Sequence, residues 1–310
     1  MGKNGIVVVG SVFVDIKGYP VSQYIPAGRN VGRVVQVHGG VCRNVVEDIA
    51  NMELRPTFVG LVDESGTGAD VIAKLKRHQV NTQYMRVTPD GLGTWLAVFN
   101  NDGDVVASIS KRPDLSEIGT IFDEYGDEIV SECDSIAVEI DMEPDLLKKM
   151  FALADRYHKG IYAVVSNMSI AMERRDLIKR TACLVCNQEE AGILFSDDYH
   201  EKNAEEMEQI LVENIVSAGI PKMIVTMGGA GAVWATSEGD HGYCPPRKVD
   251  VIDTTGAGDA FFAGICAGLT YGKSMAEACK IGTRLSASVI VTKESVCPRF
   301  MPAEFGLVKM

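Results

Sequence analysis

The sequence predicts an α/β fold, with a mostly parallel central sheet covered by helices on both faces and a small β sheet standing off it. Three observations lead there. Short apolar runs of strand type alternate with helix-type patterns through most of the chain, the order that builds parallel sheets. Two strand-like segments break that alternation. Several apolar runs end in a polar residue, and in an open parallel sheet that is the end where ligands bind. At 310 residues the chain is long enough for one large α/β domain, or a domain plus a small lobe.

Residues 6–16 read as a buried strand; Gly10 interrupts the apolar run and Asp15 stops it, unlike a signal peptide. Residues 31–38 (Val-Gly-Arg-Val-Val-Gln-Val-His) have strand character with no helix before them. Residues 43–52 carry Val45, Ile49 and Met52 at helix spacing. Residues 57–62 read as a strand and 69–78 as a helix. Residues 94–110 predict a hairpin, Thr-Trp-Leu-Ala-Val-Phe and Val-Val-Ala-Ser-Ile-Ser joined through Asn-Asn-Asp-Gly. Together with 31–38 it forms the small sheet, a lid or a dimer surface. Runs at 135–140, 162–165, 182–186 and 223–226 supply further strands, with helix patterns between most of them. There is no repeat, low-complexity segment or Pro/Gly/Ser-rich linker.

Apolar residues make up 46% and charged residues 23%, ordinary for a soluble enzyme. The formal charge of −12, without blocks of like charge, argues against nucleic acid and an anionic membrane surface as partners. A small anionic substrate stays compatible, because a local site can oppose the net charge. No apolar run reaches spanning length. The start, Met1-Gly2-Lys3-Asn4-Gly5-Ile6, lacks the Ser/Thr of a myristoylation signal. Eight scattered cysteines without a secretion signal predict reduced thiols and a cytoplasmic location.

The most informative stretch is 253–262, Asp-Thr-Thr-Gly-Ala-Gly-Asp-Ala-Phe-Phe. A glycine-rich turn opening into a helix offers free N–H groups with partial positive charge, which suits phosphate. A carboxylate at its mouth should repel phosphate. The simplest reason for Asp259 is chemical: it takes a proton from a hydroxyl that attacks the phosphorus. The other reading is a tight turn capped by Asp. Asp15, Asn187 and Thr226 each follow a strand-like run. Topology therefore requires the Asp259 turn to join them at one sheet rim.

Other motifs read more simply. Gly272-Lys273-Ser274 resembles the end of a phosphate-binding loop, but Ala267 stands where its first glycine belongs. Gly272 ends one helix, and Ser274 with Glu277 is a capping box for the next. No G-x-G-x-x-G follows the first strand, against a dinucleotide fold. Cys183 and Cys186 sit in an apolar strand as buried thiols. The five histidines show no ligand spacing. Gly39-Gly40 before Asn44 is also an ordinary strand–turn–helix junction, Asn187 with Glu190 also a helix cap, and Asp15 also a turn residue.

These residues carry a family likeness over nearly the whole chain. The sequence resembles the ribokinase-like (PfkB) carbohydrate and nucleoside kinases. Residues 253–261 resemble the family's C-terminal signature. Gly39-Gly40-Val-Cys-Arg-Asn44, running on to Gly60 and Asp63, is similar to its N-terminal one. Asn187-Gln-Glu-Glu190 resembles the Asn-x-x-Glu element, and Thr226-Met-Gly228-Gly-Ala-Gly231 the nucleotide-side loop. The resemblance implies a three-layer fold, one kinase domain over 1–310, with a β lid at about 17–38 and 92–112. It implies Asp259 as base and the backbone of Gly256, Ala257 and Gly258 as anion hole. Asp15, Gly39, Gly40 and Asn44 would hold the substrate, and Asn187, Thr226, Gly228 and Gly231 the nucleotide, ATP. Asn187 and Glu190 would act on Mg2+ through water. Asp253 and Thr255 match positions beside a monovalent cation, K+, although Lys293-Glu294-Ser295-Val296 lacks the glycine often found there.

The N-terminal motifs resemble pseudouridine kinases most, where Arg-Asn-x-x-Glu follows the glycine pair, as Arg43, Asn44 and Glu47 do here. That implies phosphorylation of pseudouridine to pseudouridine 5′-phosphate. A ribokinase- or fructokinase-type sugar kinase is the alternative, and a non-catalytic nucleotide or sugar sensor the rival from another class. Residues 109–113, Ile-Ser-Lys-Arg-Pro, depart from the Asn-Asp pair of pseudouridine kinases. Lys111 and Arg112 there are either solvated or face an anionic group. An exposed lid with unpaired edges leads us to expect a homodimer through the lid.

Overall fold

The computed structural model describes residues 5–307. The myristoylation reading concerns Met1 to Ile6, of which Met1 to Asn4 lie outside them. The chain opens with β1 (Ile6–Val9), β2 (Phe13–Pro20) and β3 (Gly32–Gly39), then α1 (Val41–Asn51). Next come β4 (Thr57–Val59), β5 (Leu61–Val62), α2 (Gly66–Arg77) and β6 (Arg86–Val87). The hairpin strands are β7 (Gly93–Phe99) and β8 (Val105–Lys111). Then follow α3 (Ser116–Glu132), β9 (Ser135–Glu139), α4 (Pro144–Arg156) and β10 (Gly160–Val164). Two single turns, α5 (Met168–Ala171) and α6 (Arg175–Ile178), lead to β11 (Cys183–Asn187), α7 (Gln188–Phe195) and α8 (Ala204–Ala218). The chain ends with β12 (Lys222–Thr226), β13 (Ala232–Thr236), β14 (His241–Cys244), α9 (Ala257–Thr270) and α10 (Met275–Ile290).

Eight strands form the main sheet in the order β14-β13-β12-β11-β10-β9-β1-β4. All neighbours from β12 to β4 run parallel, and β13 and β14 close one edge antiparallel. Strand alternation sends successive side chains to opposite faces. Val7 and Val9 of β1 join the core under α3, α4, α7 and α8, whereas Ile6 and Val8 join the core under α1, α2, α9 and α10. The expected helix–sheet–helix layering follows from these two cores.

The four-stranded second sheet has the order β3-β2-β7-β8. Its β7–β8 hairpin is the one read from the sequence. Three expectations are corrected. Residues 6–16 are not one strand: Gly10 N–H still donates to Val59 O in the main sheet, but Gly93 N–H donates to Val12 O in the small one. The chain changes sheets between them. Asp15 therefore lies within β2, opposite Val37 and Trp95, and not just beyond the first strand. Residues 57–62 likewise split at Gly60, where β5 turns to pair with β6.

Candidate active site

The junction from β3 into α1 forms one wall. Gly40 has φ +100°, and a Cβ there would meet Ser11 O at 2.7 Å, so only glycine makes this turn. Helix α1 then buries polar residues as well as apolar ones: Arg43, Asn44, Glu47, Asp48 and Asn51 are all buried. Each has a task. Arg43 donates from Nη2 to Glu47 Oε2 at 2.5 Å and from Nη1 to Asn44 Oδ1 at 2.5 Å. Asn44 Nδ2 donates to Asp259 Oδ2 at 2.7 Å. Asp48 and Asn51 hold the loop after α10: Cys297 N–H donates to Asp48 Oδ1 at 2.6 Å, and Asn51 Nδ2 donates to Cys297 O at 2.7 Å.

The opposite wall is the start of α9. Gly256 precedes it with φ +81°, and a Cβ there would lie 2.0 Å from Ser295 O. Thr255 N–H donates to Asp253 Oδ1 at 2.9 Å, and Ala257 N–H donates to Thr254 O at 3.2 Å. The Gly256 and Gly258 N–H groups have no acceptor among the described residues. They are the free donors that an anion needs at a helix start.

These walls enclose a cavity of about 620 Å³ that brings Asp15, Gly39, Gly40, Asn44, Asp253, Thr255 and Asp259 together. Ser11, Glu139 and Ser166 reach it from the carboxyl side of β1, β9 and β10. The Asp259 turn thus joins the sheet rim, as topology requires. Asn187 and Thr226 stand farther along that rim, as register partners on β11 and β12, and do not line the cavity. Neither do Glu190, Gly228 or Gly231. Asn187 and Glu190 form a reciprocal cap on α7, each backbone N–H donating to the other's side chain at 2.8 Å. Lys111 pairs with Asp90 at 2.8 Å, and neither it nor Arg112 lines the cavity. Lys17, Lys74 and Lys293 supply its positive charge.

Burial dominates the electrostatics. It pushes Asp259 up to about 6, against the Asn44 hydrogen bond and the Arg43 charge, with nearby Asp15 adding to the rise. Burial also raises Asp15, opposed by Lys17 and Arg43. Glu139, 5% exposed, is raised to about 7 by burial and then by Asp141. It accepts from Ser11 N and Cys42 N at 3.1 Å. Sequence reasoning missed Glu139, although a carboxylate inside the apolar run 135–140 is a signal that it has a task.

The cavity thus holds a buried carboxylate raised to about 6 with polar groups on both sides, while Gly256, Ala257 and Gly258 stand beside it at the helix start without lining it. The model of the pfkB family of carbohydrate kinases matches residues 3–303. The chain belongs to that family. This kinase is 32% identical to guanosine-inosine kinase of Exiguobacterium acetylicum over 94% of its own chain and 96% of the relative. It is 22% identical to pseudouridine kinase of Escherichia coli, covering 93% and 91% of the two chains. Its fold matches Arabidopsis thaliana ribokinase, solved with ribose and ATP, at a TM-score of 0.83 and 19% identity, over 98% and 99% of the chains. The ribokinase-like fold and a phosphotransferase activity with an alcohol acceptor follow from these matches.

The decoys resolve as the sequence reading had them. Ser274 and Glu277 form a capping box on α10, and Cys183 and Cys186 are buried free thiols. Among the described residues no helix is long and apolar enough to cross a membrane.

Proposed function

We propose that this kinase uses ATP and Mg2+ to phosphorylate the 5′-hydroxyl of a ribonucleoside, with Asp259 accepting the hydroxyl proton. The observation that carries the reading is Asp259 itself. Its Oδ2 takes the Asn44 N–H, which leaves Oδ1 for the incoming hydroxyl, and the unpaired N–H groups of Gly256 and Gly258 stand beside it. Phosphoryl transfer has a loose transition state, so positioning and charge stabilisation carry most of the catalysis. Gly256 and Gly258 hold the transferring phosphoryl oxygens; Ala257 contributes the turn, its N–H being engaged. Asp15, the Gly39-Gly40 backbone and the second Asn44 N–H grip the sugar hydroxyls.

Thr226, Gly228, Gly231 and Asn187 border the nucleotide beyond the cavity. Glu190 and Asn187 are hard oxygen donors suited to Mg2+ through water, and no three acidic, His or Cys side chains gather into a metal cage among the described residues. Bound Mg2+ would neutralise phosphate charge. For K+, Asp253, Thr255 and Ser295 line the same cavity, the Ser295 carbonyl packs against Gly256, and such a site would be mostly backbone oxygen.

The acceptor is read from the lid sheet. Asp15, Lys17 and Tyr19 share a face of β2, and register puts Trp95 beside Asp15. Tyr19 stacks on Phe99 at 4.7 Å, and Trp95 meets Phe99 edge-on at 6.5 Å. An aromatic shelf on the substrate-facing side suits a nucleobase more than a free sugar. The relative at 32% identity favours inosine and guanosine ahead of pseudouridine as acceptor. The small sheet serves as lid and, through its exposed outer face, joins two copies in a cytoplasmic homodimer.

The test is ADP release with ATP and Mg2+ over inosine, guanosine, pseudouridine, ribose and fructose. The expected result is acceptor-dependent release with the highest kcat/KM on a nucleoside. Faster turnover of ribose or fructose than of every nucleoside would make it a sugar kinase. ATP binding without turnover on any acceptor would make it a sensor.

A further inference from the structure

We propose that Arg43 and Glu47 are positioning residues for phosphoryl transfer, acting on Asp259 through the Asn44 amide. The inference rests on the reading of Asp259 as the base. Both side chains are 1% exposed, and neither lines the cavity. A guanidinium only donates, in a rigid fork. One arm is fixed on Glu47 Oε2 and the other reaches Asn44 Oδ1, with His38 O at 3.3 Å. The Asn44 oxygen must therefore face Arg43, and its NH2 must face Asp259. Without Arg43 only Asp259 itself would orient the amide, and the amide oxygen could turn to accept from Asp259 whenever that carboxyl holds its proton. Fixing the amide decides which Asp259 oxygen stays open to the hydroxyl.

Stability alone explains the pair poorly. A buried ion pair gives little net stability over apolar residues of the same shape. This one also leaves Arg43 Nε without a partner, a cost a purely structural pair would avoid. Glu47 runs on outward to Lys74 at 3.1 Å and His78 at 3.7 Å. The charged and titratable groups around Asp259 are Asp15 and Lys17 from β2, Arg43, Cys42 and Asp48 from α1, Lys74 from α2, Glu139 from β9, and Asp253, Lys293 and Glu294 from the loops that line the same cavity. Of the cations only Arg43 is joined to Asp259 through hydrogen bonds.

Three variants test this, each read by thermal melting, ATP KM, kcat and the acid limb of kcat/KM. The double variant Arg43→Met with Glu47→Leu removes both charges together and keeps an apolar fill. It is expected to lose about 100-fold in kcat, with ATP KM little changed and the acid limb moved to higher pH. Glu47→Gln keeps the shape and leaves the Arg43 charge uncompensated, so its acid limb should move to lower pH. A pair acting through its charge alone would move the limb yet leave kcat near parental at pH well above it, so the kcat loss there is the sign of positioning. Turnover within about threefold of the parent and an unmoved limb, in either variant with a native melt, would overturn the proposal. Asp259→Asn separates the two readings. If it abolishes turnover while the pair's variants do not, only this inference fails; if Asp259→Asn keeps turnover, the base assignment fails first.

Discussion

Asp259 stands where two opposing effects meet. The helix start and the Asn44 N–H favour its charged form, yet burial holds it near 6. An acid raised in the fold keeps its proton longer than in the unfolded chain. Its contribution to stability therefore falls as pH rises from 3.8 towards about 6. Activity runs the other way: kcat/KM should rise with pH through about 6 and level off, because the base must be ionised. A profile flat across that range would remove Asp259 as the titrating base. Gly256 makes a second prediction at this scale. With φ +81° and a Cβ site 2.0 Å from Ser295 O, Gly256→Ala should cost about 3 kcal/mol or more, seen in urea unfolding; an unchanged midpoint would contradict the packing. Asp259 and its glycines were legible from the sequence because turn chemistry is local. Glu139 was missed although it interrupts an apolar run, and the Arg-Asn-x-x-Glu spacing marked Arg43 and Glu47 without showing that they pair in the interior, which depends on the fold.

Among the elements, α1 and the lid depart most from the pattern their sequences show. Val45, Ile49 and Met52 marked α1 as a helix with one core face, but its polar residues are buried too. Helix periodicity reports the apolar stripe and is silent on what covers the rest. The first strand was misread for a similar reason: residues 6–14 are apolar apart from Gly10 and Ser11, and only the pairing of Gly10 with Val59 and of Val12 with Gly93 reveals the change of sheet. The small sheet's hairpin was legible because its turn residues are local signals. That sheet exposes Val34 at 73% and Ile109 at 70%, neither of which lines the cavity, and β3 and β8 are its unpaired edges. Ile109→Lys should therefore convert a dimer to a monomer in sedimentation, with kcat retained at saturating acceptor. A monomeric parent protein, or a variant that stays dimeric, would contradict dimerisation through this face.

At the scale of the molecule, one sheet separates two cores, and its carboxyl rim carries two stations. Ser11, Glu139 and Ser166 border the cavity proposed for the acceptor, and Asn187 and Thr226 the region proposed for the nucleotide. The alternating pattern made this topology legible; the division of the rim came only from the family resemblance, because strand order cannot be read from a linear sequence. All eight cysteines are free and buried, and burial raises Cys42, Cys186 and Cys266 well above the usual thiol range. The native kinase should react with a thiol reagent only as fast as it unfolds, and a rapidly titrating thiol in the native state would contradict these cores. The most direct test of the central claim is turnover and ATP binding in Asp259→Asn. The account predicts ATP affinity close to that of the parent and acceptor-dependent turnover lower by about a thousandfold or more. Near-parental turnover with the same ATP affinity would contradict it.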